Sequence, residues 1–208
     1  MALVKHNNNS ISAVTSMASL STGSMTLIKE VTASSVASIE FINGSSDVVL
    51  DSTYPIYLFR IINAHIISDT QKFSFNFSTD AGSNYNVAKT TTMSQAYHDE
   101  SDTAAALQYD TGDDLAQGTG LQPLSGTGLG SGNDENLCAE MFLFNPSSTT
   151  FVKHYISRAV QNAAINYAYD SYSAGYGNTT SAIDAVKFQA NSGNIDTATI
   201  KLYGIKDS

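Results

Sequence analysis

Apolar residues recur along most of this chain with a period of two, which is the signature of strands with one face buried. From Met25 onward, Ile39, Phe41 and Val49 sit on short strand-like runs broken at Asn43-Gly44, a dipeptide that favours tight turns. Tyr54 to Ile62 is nearly continuous in β-formers, with Pro55 confined to its start, and reads as a core strand. The clearest alternation is Lys72-Phe-Ser-Phe-Asn-Phe-Ser78, where three aromatics share one face and the polar residues the other. Burying one phenylalanine is worth about 1.5–3 kcal/mol, so this row can anchor one sheet against another. Thr90 to Ala96, Cys138 to Phe144, Thr150 to Ser157, Ile183 to Ala190 and Thr197 to Tyr203 predict further strands, the last two joined by the turn Ser192-Gly-Asn194. Ala163 to Tyr172 fits either a strand or a short helix. Short strands at hairpin spacing predict an all-β fold, an antiparallel β-sandwich of the jelly-roll kind.

Two segments break the period. Residues 1–25 are rich in Asn, Ser, Thr and Ala, with isolated apolar residues spaced by threes from Ile11 to Leu20. Ser and Thr between them are poor helix formers, so the segment reads as an extended arm, with a disordered tail as the alternative. Between Asp110 and Asn136 lies a low-complexity stretch holding half of the chain's 14 glycines. It lacks core-forming periodicity and reads as a long loop of the kind that is functional or disordered. The expected organisation is an arm over 1–25 and a sandwich domain over 26–208, with a Gly-rich insertion at about 110–136.

Composition narrows the choice of partner. Hydrophobic residues make up 42% of the chain and charged residues only 14%, so the surface relies on Ser, Thr, Asn and Gly. Uncharged polar surface is cheaper to desolvate than charged surface, which suits packing against copies or partners. The net charge is -9 and the 10 Lys and Arg residues are scattered, whereas nucleic-acid binding needs basic clusters. No apolar run approaches the roughly 20 residues that span a bilayer, and the N-terminus lacks the apolar centre of a signal peptide, so membrane insertion is not expected. Cys138, the single cysteine, lies between Leu137 and Ala139 and reads as a small buried hydrophobe, not a reactive thiol.

The search for catalytic chemistry returns little. His6, His65, His98 and His154 lack metal-ligand spacing, and no nucleophile elbow, Walker loop or dinucleotide fingerprint is present. Acidic groups cluster at His98 to Asp102, at Asp110, Asp113 and Asp114, and at Asn133 to Glu135. They could hold Ca²⁺ or flank a glycan as paired carboxylates, but none matches an EF-hand, and solvated loops are the expected reading. Tyr167, Tyr169, Tyr172 and Tyr176 form the densest tyrosine group, suited to core or subunit packing and also to contact with a sugar.

Four stretches carry a resemblance: Ser78-Thr-Asp-Ala-Gly-Ser-Asn-Tyr85, Phe144-Asn-Pro-Ser-Ser-Thr-Thr-Phe-Val-Lys-His-Tyr155, Ser181-Ala-Ile-Asp184, and Ser192-Gly-Asn-Ile-Asp-Thr-Ala-Thr-Ile-Lys-Leu-Tyr-Gly-Ile205. Over roughly residues 27–206 the chain resembles a group of virion proteins of tailed bacteriophages, especially marine ones. The resemblance implies a small sandwich module on the head or tail, some such modules lying in fibres that contact the host, and it brings no catalytic residues.

The resulting expectation is a non-enzymatic structural protein of the virion surface, assembled in the host cytoplasm. It is expected to be a homo-oligomer in contact with other phage capsid or tail proteins, with no cofactor, metal site or nucleic-acid partner. The alternative is a receptor- or glycan-binding module of the tail, contacting a host surface glycan. Leu3, Val4, Ile11, Val14 and Leu20 are the expected assembly contacts, and Tyr167, Tyr169, Tyr172 and Tyr176 the expected ligand contacts.

Overall fold

A computed structural model of the protein describes residues 24–206, so the arm residues Leu3, Val4, Ile11, Val14 and Leu20 lie outside the described residues. Within that span the regular elements are strands: β1 (Met25–Val36), β2 (Ser38–Ile42), β3 (Ile56–Ile66), β4 (Phe73–Ser78), β5 (Lys89–Asp99) and β6 (Ala105–Tyr109). They continue as β7 (Gln122–Pro123), β8 (Leu137–Phe144), β9 (Lys153–Asn162), β10 (Tyr167–Gly177), β11 (Ala185–Ala190) and β12 (Ile195–Ile205). One sheet has the order β1-β12-β3-β8-β9-β10-β5-β6 and the other β2-β11-β4-β7. Every pairing is antiparallel.

Setting aside β5, β6, β9 and β10, the remaining strands counted in chain order run 1-8-3-6 in one sheet and 2-7-4-5 in the other. That is the order of a jelly roll, so the expected fold class holds. The four other strands all extend the first sheet beyond β8. The ambiguous segment resolves as turn and strand: Ala163 to Asn166 turns the chain and β10 starts at Tyr167.

The sheets meet on the residues that alternation marked. Phe73, Phe75 and Phe77 are buried, and Phe75 packs edge-on against Tyr155 of the opposite sheet at 4.9 Å between ring centroids. Phe41 and Phe59 make a second edge-on contact across the sandwich at 5.3 Å. Yet the polar row of β4 is buried too, because chain crosses over it. Asn76 donates to the carbonyls of Tyr85 (2.7 Å) and Thr119 (3.0 Å) from its side-chain amide.

That covering chain is the Gly-rich insertion, and the reading of it as a segment without core residues is corrected. Leu124 and Leu129 are fully buried in the main core, and Asp113 is buried in an ion pair with Lys72 at 2.6 Å. Over the extended part of the large sheet the insertion, with β7 inside it, covers β5, β9 and β10 alongside β4, which packs on β9 through Phe75 and Tyr155. The polar anchors of the insertion are Thr91 donating to Gln122 (2.6 Å), Ser125 against Ser171 (3.1 Å), and Gln161 donating to the Thr127 carbonyl (3.3 Å). His65 fastens the far end, with Asp196 and the Gly132 carbonyl each 3.0 Å from a ring nitrogen. Glycine is required where this layer touches backbone: a Cβ on Gly128 would lie 2.5 Å from the Thr70 carbonyl carbon. Gly126 and Gly130 are likewise approached closely, by the side chains of Gln95 and Glu135, whereas Gly120 has open space around it.

Candidate functional site

The widened sheet presents an outer face eight strands across, and register sorts its side chains into rows. Glu30, Lys201, Arg60, Glu140, Arg158 and Tyr172 are successive neighbours on β1, β12, β3, β8, β9 and β10. Lys201 Nζ lies 3.1 Å from Glu30, and Arg60 donates to Glu140 at 2.7 Å. Arg158 donates from Nε and Nη2 to the two oxygens of Asp170 at 2.9 and 2.8 Å, with its guanidinium carbon 5.2 Å from the Tyr172 ring centre. Exposed pairs of this kind each contribute about 0–1 kcal/mol to stability; counting Asp170 from the neighbouring row, they balance three bases with three acids.

Two residues along the strands, the next row is apolar: Leu27, Tyr203, Leu58, Phe142, Ile156 and Ala174 are register neighbours. Met25 and Ile205 extend it at the start of β1. Among the described residues, the exposed large hydrophobics Met25, Leu27, Leu107, Tyr109, Ile156, Val160 and Tyr172 all lie on this face, while Ile67, Phe151 and Ile165 lie on turns. Scattered apolar residues on a surface carry no meaning, whereas a contiguous patch marks a site of interaction.

The tyrosines expected to act together are divided by strand alternation. Tyr172 and Tyr176 are on the outer face, the latter 6.0 Å from His154 between ring centres. Tyr167 and Tyr169 point to the inner face, where they pack with Tyr97 at 5.6 and 5.2 Å. Cys138 is also corrected. On β8 the buried positions are Leu137, Ala139, Met141 and Leu143, so Cys138 takes the outward phase, half-buried, with its sulfur accepting from the Asn63 backbone N–H at 3.3 Å. Beside it, an open concavity of about 690 Å³ is lined by Ala96, Val160 and Ala168 together with His98, Asn162 and Asp170.

Inside the sandwich, Lys89 and Lys153 flank Gly177 across β10 and are fully buried. Lys89 donates to Asn76 Oδ1 (2.5 Å) and the Val87 carbonyl (3.1 Å), and Lys153 to the Thr179 carbonyl (3.2 Å). Among the described residues neither meets a carboxylate. Desolvation pushes the Lys89 ammonium down to about 8 and lowers that of Lys153 as well. Of the acidic clusters, the one at 98–102 is organised by Asp99. It accepts from the Ser101 and Thr103 hydroxyls and from the backbone N–H groups of Thr103 and Ala104, which hold its carboxyl far below the usual range. Among the described residues no three His, Cys, Asp or Glu side chains are grouped to hold a metal ion.

Sequence reasoning treated the Lys and Arg residues as scattered and did not find the charged row of the outer face. The signal was available in the alternating polar positions Arg60, Glu140, Arg158 and Lys201; what joined them was strand order, which no local pattern encodes. Compared with known proteins, the chain matches no family model, no curated protein and no solved structure.

Proposed function

We propose that this chain is a non-enzymatic structural subunit of a tailed-bacteriophage particle, displayed on the head or tail surface. The observation that carries the reading is the outer face of the large sheet, where exposed apolar residues on β1, β6, β9 and β10 lie among charged residues that are paired within the subunit. A face of this kind is built for contact with protein. The jelly-roll strand order and the resemblance of residues 27–206 to phage virion proteins support the same reading. Immunogold labelling of intact phage particles with antibody to the protein tests it. Gold at a fixed station on the head or tail is the expected result, and its absence from particles that contain the full set of other structural proteins would overturn it. A glycan-binding role has Tyr172 and Tyr176 in its favour, since both are on the outer face; a glycan array decides it.

A further inference from the structure

The geometry points to a second copy of this chain as the occupant of the outer face, packed sheet to sheet about a two-fold axis that runs parallel to the strands along the seam between β8 and β9. This inference names the partner for the face on which the assembly reading rests.

Three observations select a second copy. First, the chain carries a net charge of -9, so two copies repel through most orientations. At the centre of this face Glu30, Glu140 and, from the neighbouring row, Asp170 stand against Lys201, Arg60 and Arg158, all paired within the subunit. Two subunits can therefore meet here without opposing like charge. Second, the seam is self-complementary. A two-fold axis parallel to the strands reverses strand order and preserves position along them, so each β8 residue faces the partner copy's β9 residue of the same row. Glu140 then faces Arg158, and Phe142 faces Ile156, because these are register pairs within one subunit. One strand further out, Arg60 of β3 faces Tyr172 of β10. Acid meets base, apolar meets apolar, and guanidinium meets ring, each contact occurring twice as an isologous interface demands. Third, the size fits. A sheet of eight strands spaced about 4.8 Å apart and ten residues long offers a face of roughly 1,000 Å², and a stable dimer takes about 800 Å² from each partner. Packed sheets cross at about -30°, so contact is closest at the seam and opens toward β1 and β6.

Sedimentation equilibrium of the full chain, with far-UV circular dichroism as the check on folding, tests the pairing. The wild type is expected at twice its 22.1 kDa mass. Ile156→Lys is expected to be folded and monomeric. Glu140→Arg and Arg158→Glu are each expected to weaken dimerisation at least about tenfold, because each sets a like charge opposite the partner copy's unchanged residue. A monomeric wild type, a dimeric Ile156→Lys protein, or single charge variants that dimerise as tightly as the wild type would overturn the pairing. Such a result leaves the particle labelling to decide the assembly reading independently.

Discussion

Replacing Lys89 with Met is expected to stabilise the protein near neutral pH, although it removes a hydrogen-bonded side chain. The ammonium has an ordinary value of 10.5 and is pushed down to about 8 in the fold by burial, with no carboxylate to offset it. That displacement corresponds to a cost of about 3 kcal/mol for keeping the charge inside. Against it stands the loss of one donor to Asn76 Oδ1, which still accepts from the Phe77 backbone N–H at 2.9 Å, and of one donor to the Val87 carbonyl, together a loss of about 1–2 kcal/mol. Met fits the same unbranched channel, so a net gain of about 1–2 kcal/mol follows, or about 2–8 °C in melting temperature for a domain of this size. The pH dependence gives a sharper check. Below about 8 the lysine is charged in both states and its contribution is constant. Between about 8 and 10.5 the unfolded chain keeps a proton that the fold has released, so wild-type stability rises with pH across this window. The Met variant lacks that rise, and comparing the two proteins at each pH cancels the tyrosines, which titrate in both. Urea unfolding at a series of pH values from neutral to alkaline measures the difference. A Met variant less stable than wild type by more than about 1 kcal/mol at neutral pH, or parallel profiles for the two proteins, would refute the argument that the buried ammonium is a net burden.

Leu129→Ala in the Gly-rich insertion is expected to cost about 2–5 kcal/mol in urea unfolding, the range for a fully buried leucine, and a variant within about 0.5 kcal/mol of wild type would show the insertion is not part of the core. Replacing residues 112–132 by a short Gly-Ser linker removes Leu124, Leu129 and the partner of Lys72 together, so no soluble β-rich product is expected; a cooperative thermal transition near the wild-type temperature would contradict this. Phe75→Asp puts an unpaired carboxylate between Phe77 and Tyr155 and is expected to abolish soluble folding, as judged by circular dichroism of the soluble fraction. Asp99→Asn is expected to lower stability at neutral pH. Because the Asp99 carboxyl is held below its ordinary value of 3.8, its contribution is present above that value and is lost as pH falls through the lower folded value, so the two proteins should converge in acid; a gap that persists there would assign the loss to geometry instead of charge.

Local pattern was enough for the strands whose two faces differ in chemistry. Phe73, Phe75 and Phe77 were legible because each is flanked by polar residues, and the final hairpin because Ser192-Gly-Asn194 separates two alternating runs. The reading failed where burial is not written in apolar residues. Asn76, Gln122, Ser125 and Ser171 are buried through hydrogen bonds to one another's segments, so the layer they form looks like solvent-exposed loop in the sequence. Cys138 was misplaced by one phase because its neighbours on both sides are apolar, and only the register of β8 decides which of them face in. The outer face was the least legible part, since its rows join side chains from strands that are distant in the chain and become neighbours only through strand order.

The pairing of β1 with β12 also sets when the molecule can form. Thr32 and Thr199 are opposite each other in that ladder, and 167 positions separate them. Few contacts in a fold are so non-local, and closing such a span is slow because its entropy is lost before its contacts are gained. On a ribosome adding about 5–20 residues per second, β3 waits roughly seven to thirty seconds after synthesis for β12, the neighbour on one of its sides. Throughout that interval a strand carrying Tyr57, Phe59 and Ile61 offers an unpaired edge to any other nascent chain. Fewer chains made at once in the cell should therefore raise the soluble fraction even though the finished fold is unchanged.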